Sequence, residues 1–157
     1  MPESVYIETT VVSYLTARPS RDLVQRAHQQ LTRKWWRTRR ARFELYVSPL
    51  VLQEIGGGDP APGRRRVAAL HGIPVLGPTP EAVRLAAALV GEGPIPKKAD
   101  VDAMHIAIAA VHGVDYLVTW NCTHIANAAM RSQIENICRA AGCEPPVLCT
   151  PEELMED

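Results

Sequence analysis

Residues 99–110 read ADVDAMHIAIAA, so two acidic residues stand directly before a run that is almost wholly small and apolar. The apolar side chains leave no continuous polar face, which is typical of a helix covered on several sides by other structure. Asp100 or Asp102 is the expected N-cap of this helix, because a capping carboxylate accepts backbone N–H bonds and is favoured by the helix dipole. Taken alone, the two aspartates are explained by capping.

The rest of the chain alternates short β-rich runs with stretches of helical periodicity. Strands are predicted at residues 5–7, 45–47, 73–76, 115–119 and 147–148, the third of them at a sheet edge because it contains Pro74. Helices are predicted after Glu8 and at residues 22–40, 48–55, 64–70, 80–90, 102–111 and 127–141. This order predicts an α/β fold in which a parallel sheet carries helices on both faces. At 157 residues the chain is expected to be a single domain, 1–157.

Two features of composition bear on the compartment of the protein. No apolar stretch has the length of a membrane span, and the first residues lack the pattern of a signal peptide, so we expect a cytoplasmic protein with no membrane partner. Four cysteines fall in the last quarter of the chain without a C-x-x-C pair. We expect free thiols; the alternative is a zinc site built from these cysteines with His124.

Acidic and amide residues follow the predicted strands. Glu8 ends the first strand, Glu54 lies just past the second, Asp102 starts the helix before the fourth, and Asn121 follows the fourth. Ligands of parallel sheets bind beyond the carboxyl ends of the strands, so these residues are expected to meet at one edge. Clustered carboxylates repel one another, and a divalent ion such as Mg²⁺ or Mn²⁺ relieves that repulsion. The chemistry implied is phosphodiester hydrolysis.

Four motifs in this order resemble the PIN-domain family of nucleases, which includes the VapC toxins of bacterial toxin–antitoxin systems. They are residues 7–10 (IETT), 48–55 (SPLVLQEI), 102–109 (DAMHIAIA) and 117–121 (LVTWN). The resemblance spans nearly the whole chain. It implies a three-layer α/β/α domain with a central, mainly parallel sheet of four to five strands. It also implies an acidic Mg²⁺ or Mn²⁺ site that cleaves RNA, a homodimer, and a small antitoxin partner.

The resemblance assigns the site residue by residue. Glu8 stands at the first acidic position, Glu54 at the second, Asp102 at the third and Asn121 near the fourth. Two departures stand out: the first position is usually aspartate, so Glu8 is one methylene longer, and the fourth often carries an acid, where this loop offers Asn121 and His124. Asp100 is a second-tier candidate ligand that compensates if its side chain faces the site.

A basic segment precedes the second predicted strand. Residues 33–42 hold six Lys and Arg side chains and two tryptophans, within an amino-terminal half (1–72) that has 12 basic and 6 acidic residues. One interpretation is an RNA-binding surface in which Arg37, Arg39, Arg40 and Arg42 contact phosphates and an exposed ring stacks on a base. The other is a solvated helix face with Trp35 or Trp36 in the core.

Other polar residues near the acids have two interpretations each. His105 is either a proton shuttle or, as we favour, a packed histidine that supports the site. Thr9, Thr10 and Thr119 either orient carboxylates or metal-bound water or are ordinary strand-end residues.

The leading functional hypothesis is a metal-dependent endoribonuclease, in which Glu8, Glu54 and Asp102 bind the ion and are the catalytic acids. A rival from another class is a catalytically weak or silent module that keeps the fold and binds RNA or a protein partner. A third is a phosphatase that uses Asp100 or Asp102 as nucleophile.

Overall fold

The computed structural model describes residues 2–155. Within these residues four strands and seven α-helices follow one another, with short 3₁₀ turns at Arg40–Arg42 and Lys97–Ala99. In chain order the elements are β1 (Glu3–Ile7), α1 (Thr9–Thr16), α2 (Leu23–Thr38), β2 (Phe43–Tyr46), α3 (Pro49–Ile55), α4 (Pro60–Ala69), α5 (Pro80–Gly91), α6 (Asp100–Val111), β3 (Tyr116–Val118), α7 (Ala128–Ala140) and β4 (Val147–Cys149).

The four strands form one parallel sheet in the order β2-β1-β3-β4. β1 is a central strand, and Val5, Tyr6 and Ile7 are completely buried in it. A continuous apolar run of this kind is expected of a parallel strand covered on both faces. The predicted α/β fold, with a mainly parallel sheet of four to five strands flanked by helices, is confirmed with four strands.

The predicted third strand is reduced to a single bridge. Val75 pairs in parallel with Val47, just beyond the end of β2, and the backbone N–H of Leu76 donates to the Val47 carbonyl at 2.7 Å. Pro74 has no N–H to donate to a ladder, which explains why the pairing does not extend. The segment lies at the β2 edge of the sheet, as the proline predicted, but it is not a strand.

The helices pack in two groups around the sheet. α1 packs against α2, α3 and α4, whereas α5 packs against α6 and α7. Local signals set several of their ends: the Asp22 carboxylate caps α2, Thr79 caps α5 and Asn127 caps α7, each by accepting backbone N–H bonds. None of the helices within residues 2–155 combines the length and apolarity needed to cross a membrane.

The apolar helix α6 is buried as predicted. Its completely buried residues include Ile106 and Ile108 on different sides of the helix, together with one polar residue, His105. The predicted N-cap is wrong. The 3₁₀ turn runs directly into α6, so Ala99 occupies the N-cap position without a side-chain cap bond, and both Asp100 and Asp102 fall within the first turn. A carboxylate in the first turn still interacts favourably with the positive end of the helix.

Candidate active site

Glu8 lies at the junction between the central strand β1 and helix α1. It is only 3% exposed and is the N-cap of α1. Its Oε1 accepts hydrogen bonds from the Thr10 backbone N–H at 3.0 Å, from the Thr10 hydroxyl, and from the Thr119 hydroxyl at 2.6 Å. Because three donors from two elements hold this one oxygen, the carboxylate has a fixed position at the carboxyl end of the sheet.

Glu54 lies in the last turn of α3, next to the carboxyl end of β2. Its Oε1 accepts a hydrogen bond from Nε2 of His105 at 2.7 Å and another from the Thr9 hydroxyl at 2.7 Å. The hydrogen bond from His105 lowers the pKa of Glu54 below its ordinary value of 4.5, and the bond from Thr9 acts in the same direction against partial burial. The carboxylate is therefore held in its ionised form.

A buried polar chain stands behind Glu54. Nδ1 of His105 lies 2.6 Å from the Tyr6 hydroxyl, which lies 2.7 Å from Oγ of Ser48. An ionised carboxylate only accepts hydrogen bonds, so Nε2 of His105 is the donor to Glu54. In the neutral imidazole Nδ1 then accepts from the Tyr6 hydroxyl, and Tyr6 accepts from Ser48. Burial, and then the negative charges of Glu8 and Glu54, raise the pKa of Tyr6 against the effect of the Ser48 bond, so the phenol stays a donor.

The sequence interpretation missed Tyr6 and Ser48. The available signal was a tyrosine in the middle of an otherwise apolar buried strand, whose hydroxyl must find a partner. From the sequence, Ser48 was only the first residue of the helix predicted at 48–55, where a serine is a common N-cap. It occupies that position, but its hydroxyl makes no cap bond and contacts Tyr6 instead. His105 is the packed histidine that we favoured, since it is completely buried and bonded at both ring nitrogens.

Asp102 is paired with the loop that follows β3. Nδ1 of His124 lies 3.1 Å from Oδ2 of Asp102, and the two side chains are 19% and 21% exposed. Asn121 does not contact Asp102 directly: its Oδ1 accepts the His124 backbone N–H at 3.0 Å. Asn121 therefore shapes the loop that presents His124, and His124 orients Asp102.

Asp100 stands apart from this arrangement. It is exposed in the first turn of α6, and among residues 2–155 it makes no hydrogen bond or ion pair with the other predicted site residues. Residues two apart in a helix do not face the same direction, which separates Asp100 from Asp102.

Glu8, Glu54 and Asp102 come from three elements at the same end of the parallel strands. Carboxylate oxygens are the donors that Mg²⁺ and Mn²⁺ prefer, and one oxygen of each carboxylate carries no hydrogen bond within the described residues, so the donor chemistry fits such an ion. The arrangement is open, however. Among residues 2–155, the His, Cys, Asp and Glu side chains form no group of three or more placed to hold a metal ion. The three carboxylates therefore share one edge of the sheet without forming a preassembled three-ligand set in this part of the chain.

The cysteines and His124 form no zinc-binding group among the described residues, so the alternative of a zinc site finds no support there. All four cysteines are free, and two of them, Cys138 and Cys149, are buried in the core region. Free thiols were the preferred interpretation, and the structure confirms them.

The basic segment lies at the other end of the strands. Arg37 is in the last turn of α2, and Arg39, Arg40 and Arg42 lead directly into the first residue of β2, whereas Glu8 follows the last residue of the parallel neighbour β1. The length of a strand of this size, about 13 Å, therefore separates the arginines from the carboxylates. Adjacent residues of a helix face different directions, and the two tryptophans differ accordingly. Trp35 is completely buried, whereas Trp36 is partly exposed, with the Arg40 guanidinium carbon 4.2 Å from the centroid of its ring.

The fold is similar to that of a chain in a solved structure. That structure is VapBC2 from Rickettsia felis bound to a DNA fragment from their promoter; the two chains are 12% identical with a TM-score of 0.54, over 74% of this chain and 87% of the other. No family model matches the sequence, and no curated protein matches it. The likeness establishes the fold and agrees with the PIN-like architecture expected from the sequence.

Proposed function

We propose that this protein is an endoribonuclease that depends on Mg²⁺ or Mn²⁺. The observation that carries the proposal is the convergence of Glu8, Glu54 and Asp102 at the carboxyl edge of a parallel sheet, each held by hydrogen bonds from neighbouring elements. The shared fold with a chain of a toxin–antitoxin complex supports it. On the same ground we propose that the protein is the toxin of such a pair, that it is neutralised by a small antitoxin protein, and that it forms a homodimer.

In this proposal Glu8, Glu54 and Asp102 would hold the ion, with Asp100 and Asn121 as second-tier candidates. When bound, a divalent ion of this class activates water and stabilises the charge on a phosphoryl group. The protein's own side chains prepare the site. Thr10 and Thr119 fix Glu8, His105 and Thr9 fix an ionised Glu54, and His124 orients Asp102.

Manganese binding and RNA cleavage test the proposal together. Calorimetry with Mn²⁺ is compared for the natural protein, for Asp102→Asn, and for Asp59→Asn, an exposed acid at the start of α4 that serves as control. We expect Asp102→Asn to weaken Mn²⁺ binding and to abolish cleavage of single-stranded RNA, while Asp59→Asn matches the natural protein. Absence of Mn²⁺-dependent cleavage over a panel of RNA substrates, with metal binding unaffected by Asp102→Asn, would overturn the proposal.

A second candidate function has its own observation. The carboxylates form no three-ligand group among residues 2–155, and two of them are engaged by histidines. That arrangement favours a catalytically weak or silent module that binds RNA or a protein partner. RNA binding that persists in EDTA, in a protein without metal-dependent cleavage, would decide for this function.

A further inference from the structure

Three aromatic rings meet beside Glu8 and have no part in the proposed metal site. The rings of His28 and Trp120 are stacked, with centroids 4.0 Å apart and planes 12° from parallel. The Tyr14 ring lies 6.3 Å from each of them. The three residues come from α2, from the loop after β3 and from α1, and all three are partly exposed.

Hydrogen bonds fix this stack relative to Glu8. The Trp120 backbone N–H donates to the Thr10 hydroxyl oxygen at 2.8 Å, and that hydroxyl donates to Glu8. The residue before Trp120 is Thr119, whose hydroxyl also donates to Glu8. The indole N–H donates to the Thr32 hydroxyl at 2.7 Å, so the plane of the indole ring is set at a second point. The stack therefore has a fixed position two hydrogen bonds from a catalytic carboxylate.

The surface near the stack includes an exposed apolar side chain. Val24 lies one helical turn before His28, on the same face of α2, and is 64% exposed. The three rings are themselves partly exposed, and a planar aromatic ring stacks favourably on an exposed ring face. The ligand chemistry that fits is a planar aromatic ring attached to a phosphate, since Glu8 of the proposed metal site, which would act on a phosphodiester, lies two hydrogen bonds away.

We propose that His28, Trp120 and Tyr14 form a stacking platform for one base of single-stranded RNA. The platform lies next to the phosphate on which the proposed metal site would act. The inference rests on the proposed ribonuclease function. Every base has a stackable face, so the platform contributes affinity and position without hydrogen-bond readout of the sequence. A protein segment packed on the same rings is the competing occupant, and the experiment below separates the two.

The test measures binding in EDTA, where cleavage cannot interfere. A labelled single-stranded RNA oligomer and an abasic oligomer with the same backbone are titrated by fluorescence anisotropy. We expect His28→Ala and Trp120→Leu to weaken binding of the base-containing oligomer by about 5- to 100-fold, and to leave the abasic oligomer unchanged. His71→Ala, an exposed histidine beyond α4, is the control and is expected to bind both oligomers as the natural protein does.

Each outcome bears on the inference. Unchanged binding of the base-containing oligomer overturns it, and so does an equal loss for both oligomers, which marks a general electrostatic or folding effect. His28→Gln removes the ring with less loss of volume and provides a folded variant if Trp120→Leu proves unstable. Intact RNA binding together with lost binding of a protein partner assigns the rings to a protein interface and also overturns the inference.

The failures of the two proposals are distinguishable. Base-dependent binding in a protein without metal-dependent cleavage defeats the ribonuclease proposal and leaves the platform in place. Metal-dependent cleavage with an unaltered KM in His28→Ala defeats the platform and leaves the ribonuclease. If both hold, His28→Ala raises KM more than it lowers kcat, because the ring contacts a base away from the reacting phosphate.

Discussion

Nε2 of His105 lies 2.7 Å from Oε1 of Glu54, and this bond joins a fully buried imidazole to a carboxylate whose side chain is 41% exposed. The histidine belongs to the buried helix α6, which packs with α5, and the glutamate belongs to α3, which packs with α1. One contact therefore links the core to the candidate site. Together with Thr9 it positions Glu54, and with Tyr6 and Ser48 it forms a continuous series of hydrogen bonds from the core to the carboxylate.

His105→Ala is expected to destabilise the protein by about 2–4 kcal/mol, because it removes a buried ring and leaves the Tyr6 hydroxyl without its partner. Urea denaturation followed by circular dichroism measures the change. The exposed His71→Ala is the control and should stay within about 0.5 kcal/mol of the natural protein. An equal, small effect for both variants would show that the polar chain does not stabilise the fold.

Acid is expected to remove a contribution that Glu54 makes to stability. The hydrogen bond from His105 lowers the pKa of this carboxyl in the folded protein, so folding favours the ionised form. The contribution is complete above the ordinary pKa of 4.5 and is lost as the pH falls through the lowered folded value. Glu54→Gln lacks the titrating group, so its free energy of unfolding should fall less steeply below pH 4.5 than that of the natural protein.

Urea denaturation at several acidic pH values checks this difference. Glu152→Gln, at an exposed position in the C-terminal turn, provides the matched loss of one carboxyl group. Parallel pH profiles for Glu54→Gln and the natural protein would contradict the prediction.

The four free cysteines should react with thiol reagents in an order set by burial. Burial raises the pKa of Cys138 to about 11 and of Cys149 to about 12, so both are protonated and enclosed at neutral pH. Cys122 is exposed, although partial desolvation raises its pKa too. With a disulfide reagent at about pH 8, we expect Cys122 to react first and Cys138 and Cys149 to react only on unfolding.

Cys122→Ser should remove the fastest phase of labelling, whereas Cys138→Ser should leave the native-state kinetics unchanged. Rapid labelling of Cys138 or Cys149 in the folded protein, identified by mass spectrometry, would show that the core around them opens.

Much of the fold could be predicted from the sequence, because short stretches of residues determine its helices and strands. The apolar run of α6, the helices predicted from residues 22 and 127, and the alternation of strands and helices all follow from short stretches of sequence. The predicted aspartate cap failed because the start of α6 depends on the 3₁₀ turn before it, which continues into the helix without a break. A turn of that kind leaves little trace in residue types.

The sequence predicted at which edge of the sheet the candidate site lies, but not which side chains contact the carboxylates there. The strand-end rule brought Glu8, Glu54 and Asp102 to one side of the sheet, and the threonines suspected of orienting carboxylates do donate to them. The pairing of Glu54 with His105 and of Asp102 with His124 was not visible, because the two pairs join residues 51 and 22 positions apart. Separations of that size carry no periodicity, so only the folded chain reveals them.

The basic segment and the carboxylates lie at opposite ends of the strands, so we expect RNA binding to depend on the length of the RNA. Arg37 and Arg40 lie at the edge where the strands begin, so an RNA chain must cross the sheet to contact both them and Glu8.

We expect the double variant Arg37→Ala, Arg40→Ala to bind a long single-stranded RNA more weakly. The slope of log affinity against log salt should fall by about 1.4, since each lost phosphate contact removes about 0.7. A dinucleotide, whose backbone is shorter than the distance of about 13 Å between the two regions, should bind the variant and the natural protein equally. Arg84→Ala, an exposed arginine on α5, controls for the loss of positive charge and should leave the slope unchanged. Titrations in EDTA at several salt concentrations provide the measurement, and an unchanged slope for the long RNA would return these arginines to the role of a solvated helix face.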